Sequence, residues 1–327
     1  MYDATRPGTE PVIGSTPLPG RSLPPRWRRL LQWTALLLVG AFWAWYLLRI
    51  WGELSAYQWQ WSLGPVLAAV ILWIGYTAAQ AWGWVLLTRA VGGAIEAKSG
   101  SRIWLLSMPA RYVPGNVWHV LSRVYMGSRA GLSAGSVLLS STLEQGMMVI
   151  GPLVVFLLSL MFWVDRLDHR FLLLALLLPA GLGCLHPRIL LPLVRLVSRL
   201  FRKPAPVLEL RYGQMIALAG WYALGHFLSS LAGCLVVASL APVALPDVPV
   251  FVGAYALAYL VGYLSFLTPT GLGVREAALL GLLSLLMPSP VAAVAALLSR
   301  ALSSLAEMIC VAGLAGAWRP RPRESER

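Results

Sequence analysis

From Leu30 to Ala317 the sequence alternates long apolar runs with short arginine-bearing loops, and the length of those runs limits what the chain can fold into. A hydrocarbon core about 30 Å thick takes roughly 20 apolar residues as helix. Six plain runs read as spans: Leu30–Leu48, Leu63–Leu87, Ser136–Phe162, Phe171–Leu185, Tyr212–Leu240 and Val291–Ala317. Within hydrocarbon every backbone N–H and C=O must pair inside the protein, which leaves helices or a closed barrel. A barrel would show short segments of alternating polarity, and none is visible. Charged residues make up only 12% of the chain and apolar ones 58%, against about 25% charged in a soluble domain. The expected fold is therefore an all-α, polytopic helical membrane protein.

Two further apolar stretches are interrupted. Ile103–Met126 is broken by Val113-Pro114-Gly115-Asn116, and Val250–Met287 by Thr268-Pro269-Thr270-Gly271-Leu272-Gly273. Proline lacks the N–H and clashes with the preceding turn, so these positions end helices. Positive charge in short loops marks the cytoplasmic side. Arg21, Arg26, Arg28 and Arg29, then Arg89, Lys98 and Arg102, then the 188–211 loop, and last Arg319, Arg321, Arg323 and Arg327 place four segments there. The stretches 49–61, 163–170 and 241–249 then face outward. Parity requires Ile103–Met126 to enter and leave on the cytoplasmic side. Val250–Met287 enters and leaves on the outer side, as a re-entrant pair or as two crossings. The reading is about six full spans plus two broken, re-entrant helix pairs (up to eight spans), arranged as an inverted repeat of halves 30–162 and 171–317. Residues 1–29 form a disordered cytoplasmic tail, 30–317 one transmembrane domain, and 318–327 a basic cytoplasmic tail. No small-residue cleavage site follows the first run, so it reads as a retained helix.

Charge inside a bilayer costs about 2.5–3.5 kcal/mol per residue on insertion scales, so intramembrane charges mark cavities or partners. The candidates are Arg111, His119 and Arg123 around the first break, Glu144 in the next span, Arg275 and Glu276 after the second break, and Arg300 and Glu307 in the last span. Half-helices starting at Asn116 and near Gly273 would expose unpaired N–H groups and a partial positive charge at depth, a setting suited to phosphate. Pro114, Gly115, Asn116, Pro269, Gly271 and Gly273 join the candidates as the residues that shape these tips. Glu144 is expected to neutralise Arg123 or Arg111, or to carry a proton. Arg300 and Glu307, seven apart, share one helix face, and Arg300 is expected to pair with Glu276 or Glu307. Arg123 either lines the cavity or snorkels to the cytoplasmic surface. His119 and His226 read as packing residues, and Trp59, Trp61 and Trp118 as interface anchors.

Other chemistries find no support. There is no GxxxxGK[ST], HExxH or GxGxxG pattern, so no catalytic residue, nucleotide site or other cofactor is expected. Cys184, Cys234 and Cys310 lie in apolar runs without CxxC spacing, and no metal site is expected. The net charge of +13 sits in loops and tails, a pattern of topology signals rather than of a nucleic-acid face.

The stretch from Ala110 to His119, Ala-Arg-Tyr-Val-Pro-Gly-Asn-Val-Trp-His, continuing to Arg123, resembles the first signature of the lysylphosphatidylglycerol synthase transmembrane, or flippase-like, family. Pro269-Thr270-Gly271-Leu272-Gly273-Val274-Arg275-Glu276-Ala277-Ala278 resembles its second, with Thr270 where the family often has Gly. Glu144 and Arg300 fall where the family commonly has Glu and Arg. The resemblance covers roughly 30–317 and implies a stand-alone member without the soluble aminoacyl-transferase domain. It implies a non-enzymatic, multi-pass protein of the bacterial cytoplasmic (inner) membrane, both termini cytoplasmic, that translocates a polar or anionic-headgroup lipid. The alternative is a non-transporting accessory protein for a lipid- or glycan-modifying enzyme. A membrane lipid is the expected partner, with such an enzyme as a second; nucleic acid is not expected, and the oligomeric state is left open.

Overall fold

The structure, a computed structural model, describes residues 40–59, 61–112, 117–163, 212–265 and 269–316, with isolated positions 34, 37 and 183. The expected span Phe171–Leu185, the 188–211 loop, both tails and Pro114, Gly115 and Asn116 lie outside the described residues. Helical residues 40–49 and a short helix Trp51–Ala56 precede the main elements. These are α1 (Leu63–Ala90), α2 (Ala97–Ser107), α3 (Trp118–Arg129), α4 (Ala134–Ser159), α5 (Tyr212–Ala238), α6 (Val248–Leu264), α7 (Val274–Leu283) and α8 (Ser289–Gly316). A 3-10 turn, Met108–Tyr112, extends α2; another, Pro269–Gly271, lies between α6 and α7.

Five described segments are long and apolar enough to cross a membrane: Leu63–Ala90, Ala134–Phe162, Tyr212–Ala238, Leu245–Leu264 and Ser289–Gly313. Their mean hydropathy lies between 1.5 and 2.0 over the most apolar window. The protein is an integral membrane protein. The fourth of these segments belongs to the second broken pair, whose first arm is longer than a half-helix. Its second arm, α7, has ten residues, a rise of about 15 Å, too short to cross.

The polarity of the two pairs follows from packing. Ile95, just before α2, and Leu132, just after α3, share one core cluster with Val85 of α1 and Val137 at the start of α4. The first pair thus opens where α4 begins. Phe251 of α6, Leu283 of α7 and Val291 of α8 share another cluster with Leu160 and Trp163, just beyond the end of α4. The second pair opens at the opposite face. Helix α4 spans between the two openings, packing on α3, α5 and α6. Small residues permit the close approaches such packing needs when the surroundings are as apolar as the core. A Cβ at Gly233 of α5 would stand 2.3 Å from the ring of Tyr255 on α6.

The tips of the two pairs meet. The 3-10 turn Met108–Tyr112 touches the turn Pro269–Gly271. Thr270, Gly271 and Gly273 all have positive φ (56°, 65° and 83°), which reverses the chain within four residues. Glycine adopts this region freely, whereas a β-branched threonine does so at a cost. Gly271 also packs on the backbone of Gly262, where a Cβ would approach the carbonyl oxygen to 2.3 Å.

Candidate functional site

The meeting tips border a cavity of about 530 Å3. Its walls come from mid-length positions of the long helices: Trp73 and Tyr76 on α1, Glu144 and Met148 on α4, Ser229 on α5, Arg300 and Glu307 on α8. Trp73 is ten residues into α1, about 15 Å from its start, so the cavity lies well inside the length of that span.

Arg111, His119, Arg123 and Glu144 line it from the first half of the chain, and Gly271, Arg275, Arg300 and Glu307 from the second. Gly273 and Glu276 are not among its lining residues, and the Pro269 side chain lies outside the described residues. Three carboxylates pair with its arginines, Glu144 and Glu307 from the lining and Glu276 from outside it. The Arg123 guanidinium donates from Nη1 to Glu144 Oε2, both side chains being 1% exposed. Arg123 Nε donates to Ser107 Oγ at 2.9 Å. Its guanidinium lies 5.3 Å and 5.5 Å from the ring centroids of Trp104 and Trp84. The Trp104 indole N–H takes the remaining carboxylate oxygen of Glu144. Arg123 is therefore an enclosed, fully partnered cation; of its two expected placements, snorkelling to a surface does not occur.

Arg111 on the first tip donates from Nη2 to both oxygens of Glu307 on α8, and the Tyr112 hydroxyl donates to Oε2 at 3.1 Å. These side chains are 27% and 18% exposed. Arg300 lies with its Nε 3.7 Å from Glu276 Oε1, an ion pair beyond hydrogen-bond reach. Its Nη2 donates to Thr270 Oγ1 at 3.0 Å. Threonine at the strained tip thus supplies an oxygen that glycine would lack. Arg275 has no carboxylate partner among the described residues; its guanidinium sits 5.5 Å from the centroid of the Tyr259 ring.

Helix α3 is described from Trp118, with Val117 in the N-cap position and no side-chain cap, and the expected start at Asn116 lies outside the described residues. At α7 the Gly273 N–H donates to Glu276 Oε2 at 2.6 Å. Glu276 reaches back from the third helical position, as in a capping box. This N-terminus is therefore partly closed by its own glutamate instead of presenting bare N–H groups, because the carboxylate satisfies one donor and offsets the dipole.

His226 is buried between Tyr76 and Tyr259, with Gln80 Nε2 3.5 Å from its Nε2, in keeping with a packing residue. His119 instead lines the cavity, and its buried Nδ1 has no partner among the described residues. Tyr76, Tyr259 and Tyr263 also line the cavity and were not singled out by the sequence. Aromatic side chains in apolar helices resemble interface anchors, and only tertiary packing separates the two. Trp104, which holds Glu144, is indistinguishable from an anchor in the sequence for the same reason. Among the described residues no group of His, Cys, Asp and Glu is arranged to hold a metal.

Residues 32–309 match the model of the family described as the lysylphosphatidylglycerol synthase TM region. No curated protein matches the chain, and no solved structure does.

Proposed function

Since the chain belongs to the lysylphosphatidylglycerol synthase TM-region family, we propose that it is a flippase-like transporter moving a lipid with a polar or anionic headgroup across the bacterial inner membrane. The observation that carries this reading is the cavity well inside the length of the spans, where the tips of two oppositely inserted helix pairs meet and arginines outnumber carboxylates. Arginine presents planar, always-charged donors suited to phosphate oxygens. A hydrated, cation-lined space at the midplane lowers the cost of carrying a charged headgroup through hydrocarbon, while the acyl chains stay in lipid. Pairs entering from opposite faces supply elements whose alternate loosening would open the cavity to one side and then the other. Both termini lie in the cytoplasm, by the arginine bias of the loops. The chain makes and breaks no covalent bond in this scheme; its partner is the lipid.

The test is translocation of a fluorescent phospholipid in liposomes reconstituted with the full chain. Arg123→Ala, Glu144→Gln and Arg275→Ala are each expected to slow it. Unchanged rates in all three would refute the mechanism.

A further inference from the structure

The charge of the cavity has a definite remainder. Arg111, Arg123, Arg275 and Arg300 line it. Glu307 is committed to Arg111, Glu144 to Arg123, and Glu276 to the Gly273 N–H and, at longer range, to Arg300. Three carboxylates pair with these four guanidinium groups, Glu276 doing so from outside the lining, which leaves one positive charge among the described residues, and Arg275 is the group with no carboxylate there. Resting on the transport reading above, we propose that the site is matched to a headgroup carrying one negative charge: a phosphodiester lipid without a compensating amine.

Three features place the remainder where a phosphate can use it. Arg275 is fixed at the second tip, because its Cβ packs where a Gly262 side chain would stand, 2.5 Å from the ideal Cβ position. Arg300 is held beside the same tip by Thr270 Oγ1 at 3.0 Å. Arg111 Nε, His119 Nδ1 and Ser265 Oγ also line the cavity, are buried and have no hydrogen-bond partner among the described residues. Buried polar atoms are normally paired, and each unpaired one is destabilising. Phosphate and hydroxyl oxygens of a bound headgroup would accept from the Arg111 Nε–H and the Ser265 hydroxyl, and His119 can pair in either tautomer.

Charge balance then sorts the ligands. Beside the apolar walls of the cavity a charge is less screened than in bulk water, so an uncompensated one is costly in either sign. A phosphodiester brings the cavity to neutrality. A choline or ethanolamine diester is zwitterionic and leaves the surplus in place. A diphosphate overshoots to net negative, and a headgroup bearing two amines adds positive charge to a site already positive.

The experiment is native mass spectrometry of the detergent-purified full chain, titrated with phosphatidylglycerol, phosphatidylcholine, a prenyl diphosphate and the lysine ester of phosphatidylglycerol. Phosphatidylglycerol is expected to bind about tenfold or more tighter than the others, the scale of one charge-assisted hydrogen bond. Arg275→Gln should abolish that preference, and Arg275→Lys should restore part of it, which separates lost charge from lost fold. Equal binding, preference for the diphosphate or the lysine ester, or an Arg275→Gln protein that keeps the preference would overturn the proposal. Dimethyl phosphate binding as tightly as phosphatidylglycerol would assign the site to a water-soluble anion and overturn the lipid assignment. The same lipids are then followed in proteoliposomes. Selective binding without movement would sustain this inference and refute transport, whereas movement without preference would do the reverse.

Discussion

Replacing Glu144 by alanine should expose how the charged site is held together. Arg123 and Glu144 are each 1% exposed and paired to one another. Removing the carboxylate strands a guanidinium whose remaining contacts are Ser107 Oγ and the faces of Trp84 and Trp104. Breaking a buried pair by deleting one partner costs about 3–5 kcal/mol. The orphaned Trp104 indole N–H, now without its acceptor, belongs within the same loss, since a buried donor left unmade costs about 1–3 kcal/mol. A deficit near 4 kcal/mol is a large part of the roughly 5–15 kcal/mol that holds a typical domain folded. Removing both charges, in Arg123→Met/Glu144→Leu, should recover most of it, because an apolar pair of similar volume needs no compensation. Glu144→Gln, which keeps an acceptor for Trp104, should fall between. The assay is reversible unfolding in mixed micelles by sodium dodecyl sulfate, followed by circular dichroism. If Glu144→Ala is as stable as the parent, or the double variant is less stable than either single one, the pair is not the dry, mutually dependent unit described.

Three further outcomes follow from particular contacts. Thr270→Gly should relieve the positive-φ strain, worth about 1–3 kcal/mol, and raise the melting temperature while lowering lipid translocation, because Arg300 loses its anchor; Thr270→Val should keep the strain and lose the anchor, lowering both. Gly271→Ala places a methyl group 2.3 Å from the Gly262 carbonyl oxygen at φ 65°, so it should destabilise by roughly 1–3 kcal/mol or more, read in the same unfolding assay. Ser133, whose Oγ accepts from the Ser136 N–H at 3.0 Å, caps α4; Ser133→Ala should cost about 1 kcal/mol and leave the lipid preference unchanged.

The positions of the breaks were legible because Pro and Gly interrupt apolar runs for reasons local to the backbone. Pro269 to Gly273 is such a case: the turn begins at Pro269 and α7 starts after Gly273. The opposite orientation of the two pairs was expected from loop charge, and the structure opens them at opposite ends of α4. The face shared by Arg300 and Glu307 followed from helical spacing, and both line the cavity. Which charge meets which was not legible, since Arg111–Glu307 and Arg123–Glu144 join segments far apart in sequence. Glu276 carried a readable signal, because Gly273-x-x-Glu276 has the spacing of a reciprocal cap. Thr270 was visible as a departure from the family pattern, but its purpose emerged only when Arg300 of α8 was found on its hydroxyl.

The central claim is that the two tips meet in a hydrated, positively charged cavity at the middle of the bilayer. A single cysteine at position 270, in a protein whose own three cysteines are replaced by alanine, tests it most directly. Its labelling in proteoliposomes by anionic and by cationic methanethiosulfonates of similar size is measured, each rate being divided by that of a free thiol. The account predicts labelling despite the depth of the position, with the anionic reagent faster and the difference abolished by Arg275→Gln. A cysteine that neither reagent reaches, or one that the cationic reagent labels faster, would contradict it.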